Sequence, residues 1–128
     1  MDEMFKDFNF NAKPENIIEE VNGLKLPEDY IEFMKEHNGG EGSIGNNIWG
    51  ELFKLEELEE LNNDYEMEKW WPGYIAIGGD KADMIWAYNP QKNEYAEIDL
   101  YNIDENTYML MNNTLEGFFK NMDEYYSE

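Results

Sequence analysis

Leu26–Gly40 constrains this chain more than any other stretch, because it encodes a helix together with both of its ends. Tyr30, Phe33, Met34 and His37 recur at i, i+3, i+4 and i+7, so three large apolar groups and an imidazole share one face. Glu32, Lys35 and Glu36 point elsewhere. Pro27 suits a first turn, where its missing N–H would have had no intrahelical partner, and Glu28 and Asp29 lie at the positive end of the helix dipole. Lys35 and His37 fall in the last turn, and Asn38-Gly39-Gly40 supplies residues that tolerate a left-handed C-cap. The pattern predicts a core-facing helix over residues 27–37.

Around it the chain punctuates itself. Residues 1–13 read as an N-terminal arm pinned by Phe5, Phe8 and Phe10, either extended or helical. Pro14–Val21 reads as a helix near residues 15–22, with Ile17, Ile18 and Val21 inward and Asn22-Gly23 ending it. Gly40–Gly45 fits the letters G-x-G-x-x-G. A dinucleotide loop follows a strand and opens a helix, whereas this one follows a helix and leads toward a strand, with Glu41 repelling phosphate, so it reads as a helix-to-strand turn.

Ile48–Phe53 predicts a strand with Gly50 at a bulge, and Leu55–Tyr65 a helix with Leu55, Leu58, Leu61 and Tyr65 on one side. Tyr74–Ile77, Met84–Tyr88 and Tyr95–Leu100 are strands joined by hairpin connections, giving an antiparallel meander with one wetter face. Asn102–Asn106 is a polar loop, Tyr108–Met111 a last short strand, and Thr114 the N-cap of a closing helix with Leu115, Phe118, Phe119 and Met122 inward. The expected fold is α+β over residues 1–128 as one domain: a mostly antiparallel sheet of about four to six strands packed against helices near 15–22, 27–37 and 114–124, with helix 55–64 at one edge.

Charge sets the class of partner. Thirty acids face nine Lys and no Arg, a net charge of -21. It divides as -12 over residues 1–64 and -9 over residues 65–128, so the acidity is no tail. Such a field repels nucleic acid and anionic membranes and attracts a basic partner, although acidity that serves solubility alone has the same composition. The absence of Cys excludes disulfides and thiolate zinc sites, and a single His excludes a histidine-rich cluster. The N-terminus lacks the basic and apolar segments of a signal peptide, and Met84–Tyr88 is too short to span a bilayer; a cytoplasmic protein is expected.

On helix 55–64, Glu56, Glu57, Glu60 and Asp64 gather opposite the leucines. The i,i+4 pairs Glu56/Glu60 and Glu60/Asp64 each disfavour the helix by about 0.2–0.5 kcal/mol. Glu66–Gly73 follows as a turn-rich connection with two adjacent tryptophans. At least one should pack, and the other, if exposed beside the acids, is an interface anchor. The candidate partner-binding surface is therefore Glu56, Glu57, Glu60, Asp64, Glu66 and Glu68 with Trp70 or Trp71.

Chemistry is sparse by comparison. Nothing ties Ser43 or Ser127 to His37, which reads as a structural histidine, and carboxylates are too abundant for any pair to stand out. Asp80 with Asp83, or Asp99 with Asp104 and Glu105, has the composition for a stray cation but not the spacing of a calcium loop. No catalytic residue, cofactor or resident metal is expected.

Leu26-Pro27, Tyr30, Phe33, Asn38-Gly39-Gly40, Leu52-Phe53, Leu55-Glu56-Glu57-Leu58, Pro72-Gly73, Ile75, Ile77-Gly78 and Leu115–Phe119 stand in an order that resembles the SUKH superfamily, first described in yeast cell-wall-assembly and killer-toxin-resistance regulators. The chain departs from that pattern at Gly78–Asp83, where relatives carry a Gly-Asp-Gly-Gly turn. The resemblance implies a bacterial immunity protein that neutralises a cognate toxin, often a nuclease, by binding it. The acid excess agrees, since a nuclease presents cationic groups to phosphate. Two other readings stay open: a non-enzymatic scaffold or regulatory domain, as in the eukaryotic relatives, and a small-ligand binder on the sheet's concave face.

Overall fold

In the computed structural model, which describes residues 2–102 and 107–127, the strands are β1 (Phe8–Phe10), β2 (Glu20–Val21), β3 (Leu24–Lys25), β4 (Gly40–Ile44), β5 (Ile48–Leu52), β6 (Ile75–Gly79), β7 (Met84–Asn89), β8 (Glu94–Asp99) and β9 (Tyr108–Asn112). The helices are α1 (Glu28–Glu36), α2 (Leu58–Asp64), α3 (Met67–Trp70) and α4 (Leu115–Tyr125), with 3-10 turns at Asp2–Phe5 and Leu55–Glu57. Seven strands form one antiparallel sheet in the order β1-β4-β5-β6-β7-β8-β9, and β2 pairs with β3 apart from it. The α+β class is as expected, and the sheet is larger than expected because the arm adds β1 at its edge, Phe8 opposite Gly42.

Several local expectations give way to tertiary demands. Residues 15–22 form no helix: Asn22 (φ 51°) and Gly23 (φ 85°) adopt the left-handed pair that a tight hairpin needs, and Val21 pairs with Leu24 across them. Helix α1 stops at Glu36 without a left-handed cap. His37 is extended (φ -140°), and the side chain of buried Asn38 is spent elsewhere, on the Leu55 N–H at 2.8 Å. Gly40–Ile44 is strand β4 rather than a turn, so no helix N-terminus faces its glycines. Gly50 sits at no bulge. It faces Gly42 in register, and a Cβ there would lie 2.4 Å from the Trp86 ring, so the glycine makes room for that indole. The irregularity falls instead between Ala76 and Gly78 of β6, beside the departure from the SUKH pattern. The connection after α2 contains the short helix α3, entered through Glu66 at φ 54°.

The expected wet face of the meander is also absent at its centre, because β6 to β8 are buried on both faces. On one face α4 lays Phe119 edge-on against Trp86, centroids 5.4 Å apart, and Phe118 along Tyr95 at 5.7 Å. On the other lie Ile85, Ala87, Ala96 and Ile98, and Tyr74 stacks on Tyr108, the register partner of Ile98, at 4.6 Å. Thr114 caps α4 as expected, accepting from the Gly117 N–H at 3.0 Å. Both ends of α4 are tied down by carboxylates. Asp29 accepts from the Leu115 N–H (2.8 Å) and the Tyr95 hydroxyl (2.7 Å), while Asp123 accepts from the N–H groups of Asn46 and Asn47 (3.0 and 2.7 Å). In the arm, Phe5 meets Phe33 and Phe119, and Phe10 stacks on His37 at 3.7 Å, which makes that histidine a packing residue.

β5 pairs with only the C-terminal half of β6, at Gly78 and Gly79, so Ala76, which pairs with Ala87 of β7, has no strand on its β5 side. Buried Asn62 of α2 replaces it: its carbonyl oxygen accepts from the Ala76 N–H (2.7 Å), and its amide donates to the carbonyls of Ala76 (3.0 Å) and Leu58 (2.8 Å). Asn62→Ala should leave these buried groups unpaired and lower unfolding stability by about 2–4 kcal/mol, measured by urea denaturation. A loss under about 0.5 kcal/mol, the size of an ordinary surface change, would show that the amide does not hold the helix to the sheet.

Candidate interaction surface

The segment Leu55–Trp70 turns its leucines inward and its acids outward. Leu55 and Leu58 are buried, whereas Glu56, Glu57, Glu60, Asp64, Glu66, Glu68 and Trp70 are exposed. The two tryptophans divide as the sequence suggests: Trp71 is 4% exposed and belongs to the core, Trp70 is 44% exposed. Trp71 therefore offers no outer surface. The acids are not all equally available. Asn38 donates to both carboxylate oxygens of Glu56 (2.9 and 3.1 Å), fixing that side chain at the start of the segment. Glu66 pairs with Lys69 at 3.6 Å, and the Lys69 ammonium lies 4.8 Å from the centre of the Trp70 ring. Of the six candidate acids, Glu57, Glu60, Asp64 and Glu68 are the ones left to meet a partner.

A second group joins them that sequence reasoning missed. On β4 and β5 the side chains of Ile44, Ile48 and Leu52 are buried, and the alternate positions Glu41, Ser43, Trp49 and Glu51 face outward. Trp49 is 50% exposed. It sits opposite Ser43, and Glu41 sits opposite Glu51, a like-charge cross-strand pair that disfavours the sheet. Lys81, from the β6–β7 turn, answers this charge: its ammonium lies 2.5 Å from Glu41 and 5.9 Å from the Trp49 ring centre. The hydrogen bond to Glu41 raises the Lys81 pKa. Partial burial raises that of Glu51; Lys81 opposes the rise, and Glu41 and Glu57 add to it. Glu57 thus links the helix acids electrostatically to the outer sheet face. The signal was present in the alternation of Ile48 to Leu52, where the largest residue of the strand falls on its polar side.

The remaining candidates do not assemble into a reactive centre. Asp80 closes its own turn, accepting from the N–H groups of Ala82 (2.8 Å) and Met84 (3.0 Å), and Asp99 accepts from the Tyr101 N–H at 3.0 Å. Asp104 and Glu105 lie outside the described residues. Among the described residues no group of three His, Cys, Asp or Glu is placed to hold a metal ion. Ser127 donates to the Glu124 carbonyl, and Ser43 lies on the outer sheet face; among the described residues no hydrogen bond joins either to His37.

A sequence model of the SMI1 / KNR4 family (SUKH-1) matches residues 15–121. The chain belongs to that family. The matched span runs from the β2–β3 ribbon into α4 and contains both the acidic segment and Trp49, whereas edge strand β1 precedes it. Among curated proteins no match to this SUKH-1 chain was found. Among the described residues no helix is long and apolar enough to cross a membrane.

Among the described residues of this SUKH-1 domain Glu97 is the one acid buried deeply, at 2% exposure, although its alternation placed it on a wet face. The Trp86 indole donates to it at 3.1 Å and the Tyr126 hydroxyl at 2.5 Å, so it latches the end of α4 to the sheet. Burial pushes its pKa up; the two hydrogen bonds oppose the rise, and Asp80 and Asp99 add to it. The folded protein then keeps a proton that the unfolded chain has released. Stability therefore falls as pH climbs from the ordinary glutamate range through the raised folded value, and is level above it. Glu97→Gln removes this term. The stability of the variant minus that of the wild type should be flat below about pH 4 and grow more positive as pH rises toward neutrality, measured by thermal unfolding across that range. A difference independent of pH would mean that Glu97 ionises in the folded state as it does in water.

Proposed function

We propose that this protein is a cytoplasmic immunity protein that neutralises a cognate bacterial toxin, of nuclease type, by binding it through the acidic surface, without turnover. Membership of the SUKH-1 family is consistent with that role. The observation that carries the reading is the outward placement of Glu57 in the 3-10 turn, and of Glu60 and Asp64 at i,i+4 on α2, a helix bound to the sheet by Asn62. Like charges retained at i,i+4 spacing weaken the helix and serve nothing inside the domain. They do serve a cationic partner, whose approach they accelerate and whose phosphate-binding ground they can occupy. A small-ligand site on the central sheet has little support, since both faces of β6 to β8 are buried.

The test uses a basic toxin encoded beside the gene, or captured as a purified partner, with association followed by stopped flow. The association rate should fall steeply, about tenfold or more, between low and physiological salt. Reversing Glu57, Glu60 and Asp64 to Lys should slow association by at least about tenfold and weaken protection of cells, with the thermal unfolding of the domain little changed. Glu56 is left intact in that variant because it holds Asn38. A rate indifferent to both salt and charge reversal would rule out electrostatic capture through this face.

A further inference from the structure

The outer face of β1, β4 and β5 is open to solvent: Asn9, Glu41 and Trp49 are exposed, and Ser43 and Glu51 are half-buried. Nothing in the fold requires an indole there. Trp49 points away from the core that buries Trp71 and Trp86, and the row beside it sets Glu41 directly against Glu51. A repulsive acid pair next to a half-exposed indole becomes favourable only with a cation between them, and the chain supplies one of its own. Lys81 reaches from the next turn to Glu41 and lies 5.9 Å from the Trp49 ring centre. That separation is at the outer limit of a useful cation–π contact, and both members of the ion pair are about half-exposed, so the lysine, although hydrogen-bonded to Glu41, contributes little and is displaceable.

We propose that this sheet face docks an arginine-bearing segment of the basic protein partner inferred above, a guanidinium taking the place that Lys81 now fills between Trp49 and Glu41. The proposal rests on that reading for the partner's identity, but the chemistry is set by the site. A guanidinium is planar, so it stacks on an indole, and its fork of N–H donors meets carboxylates two at a time, where an ammonium acts as a point charge. The chain contains no Arg, so no group of its own competes with that geometry. A second copy of the chain is a poor occupant, because two bodies of charge -21 repel. Glu51, next to Trp49 on the same strand face, supplies the second carboxylate, and Glu57 extends the attraction toward α2.

The site can be tested without the toxin. The full chain is titrated at physiological salt with the peptide acetyl-Gly-Arg-Gly-Arg-Gly-amide and followed by two-dimensional NMR. Its citrulline counterpart, which keeps the shape and loses the charge, serves as the control. The Trp49 indole N–H and the amides of Glu41, Glu51 and Lys81 should shift together, and the citrulline peptide should bind at least about tenfold more weakly. Trp49→Ala should weaken the arginine peptide by about tenfold, while circular dichroism reports an intact fold. Lys81→Gln should strengthen it about two- to fivefold, whereas Lys92→Gln, an equal change of charge on the β7–β8 turn, should not. Shifts spread over α2 without Trp49, equal effects of the two lysine variants, or unchanged binding by Trp49→Ala would overturn the site. Free arginine amide binding as tightly as the peptide would overturn it as a docking surface, leaving a small-cation site. A domain that passes this titration and yet fails to protect cells keeps the arginine site and loses the immunity reading.

Discussion

Strand β6 outruns β5, and the pairing of Ala76 decides how the rest of the surface is presented. Left open, that strand edge would expose an N–H and a carbonyl in the core. The Asn62 carboxamide closes it with the same donor and acceptor that a neighbouring strand would offer, and in doing so binds α2 to the edge of the sheet. A second buried asparagine acts at the other end of the same segment. Asn38 accepts from the Leu55 N–H and holds Glu56, so the turn into α2 starts where α1 has just ended. Between these two amides the acidic stretch has little freedom to roll, and its carboxylates are aimed by the sheet rather than by helix propensity.

The same sheet separates apolar from charged surface by position along its width. Its middle strands are covered on both faces, which leaves Glu97 as the exception, held by two donors and latched to Tyr126. The outer strands keep one face open, and there Glu41, Glu51 and Trp49 are displayed. With a net charge of -21, self-repulsion lowers the stability of the folded state everywhere. The exposed lysine–glutamate pairs recover little of it, since pairs of this kind contribute at most about 1 kcal/mol each. Like charge carried on fixed elements lowers stability and generates a long-range negative field.

Residues within a few positions of one another explain what could be read in advance. The meander strands, their hairpin turns, the Thr114 cap and the four inward residues of α4 all follow from period and turn chemistry that act locally. The acid-rich side of α2 was legible for the same reason, and so was the packing of one of the two tryptophans, but not that Trp71 is the buried one. The failures are also specific. Asn22-Gly23 reads as a helix stop although the pair suits a hairpin equally well, and only the pairing of Val21 with Leu24 distinguishes the two. Asn38 could not be known to serve Leu55, a residue that comes near it only after β4 and β5 have folded back.

By itself the sequence determined the class of fold, the order of most elements, the acidity and the family, because each depends on composition or on neighbours along the chain. Tertiary structure alone decided which strand faces are wet, where the buried amides spend their hydrogen bonds, and that Trp49 stands beside the Glu41–Glu51 pair near Lys81. Those outcomes depend on which distant segment packs over a given face, and no local periodicity encodes what will cover it.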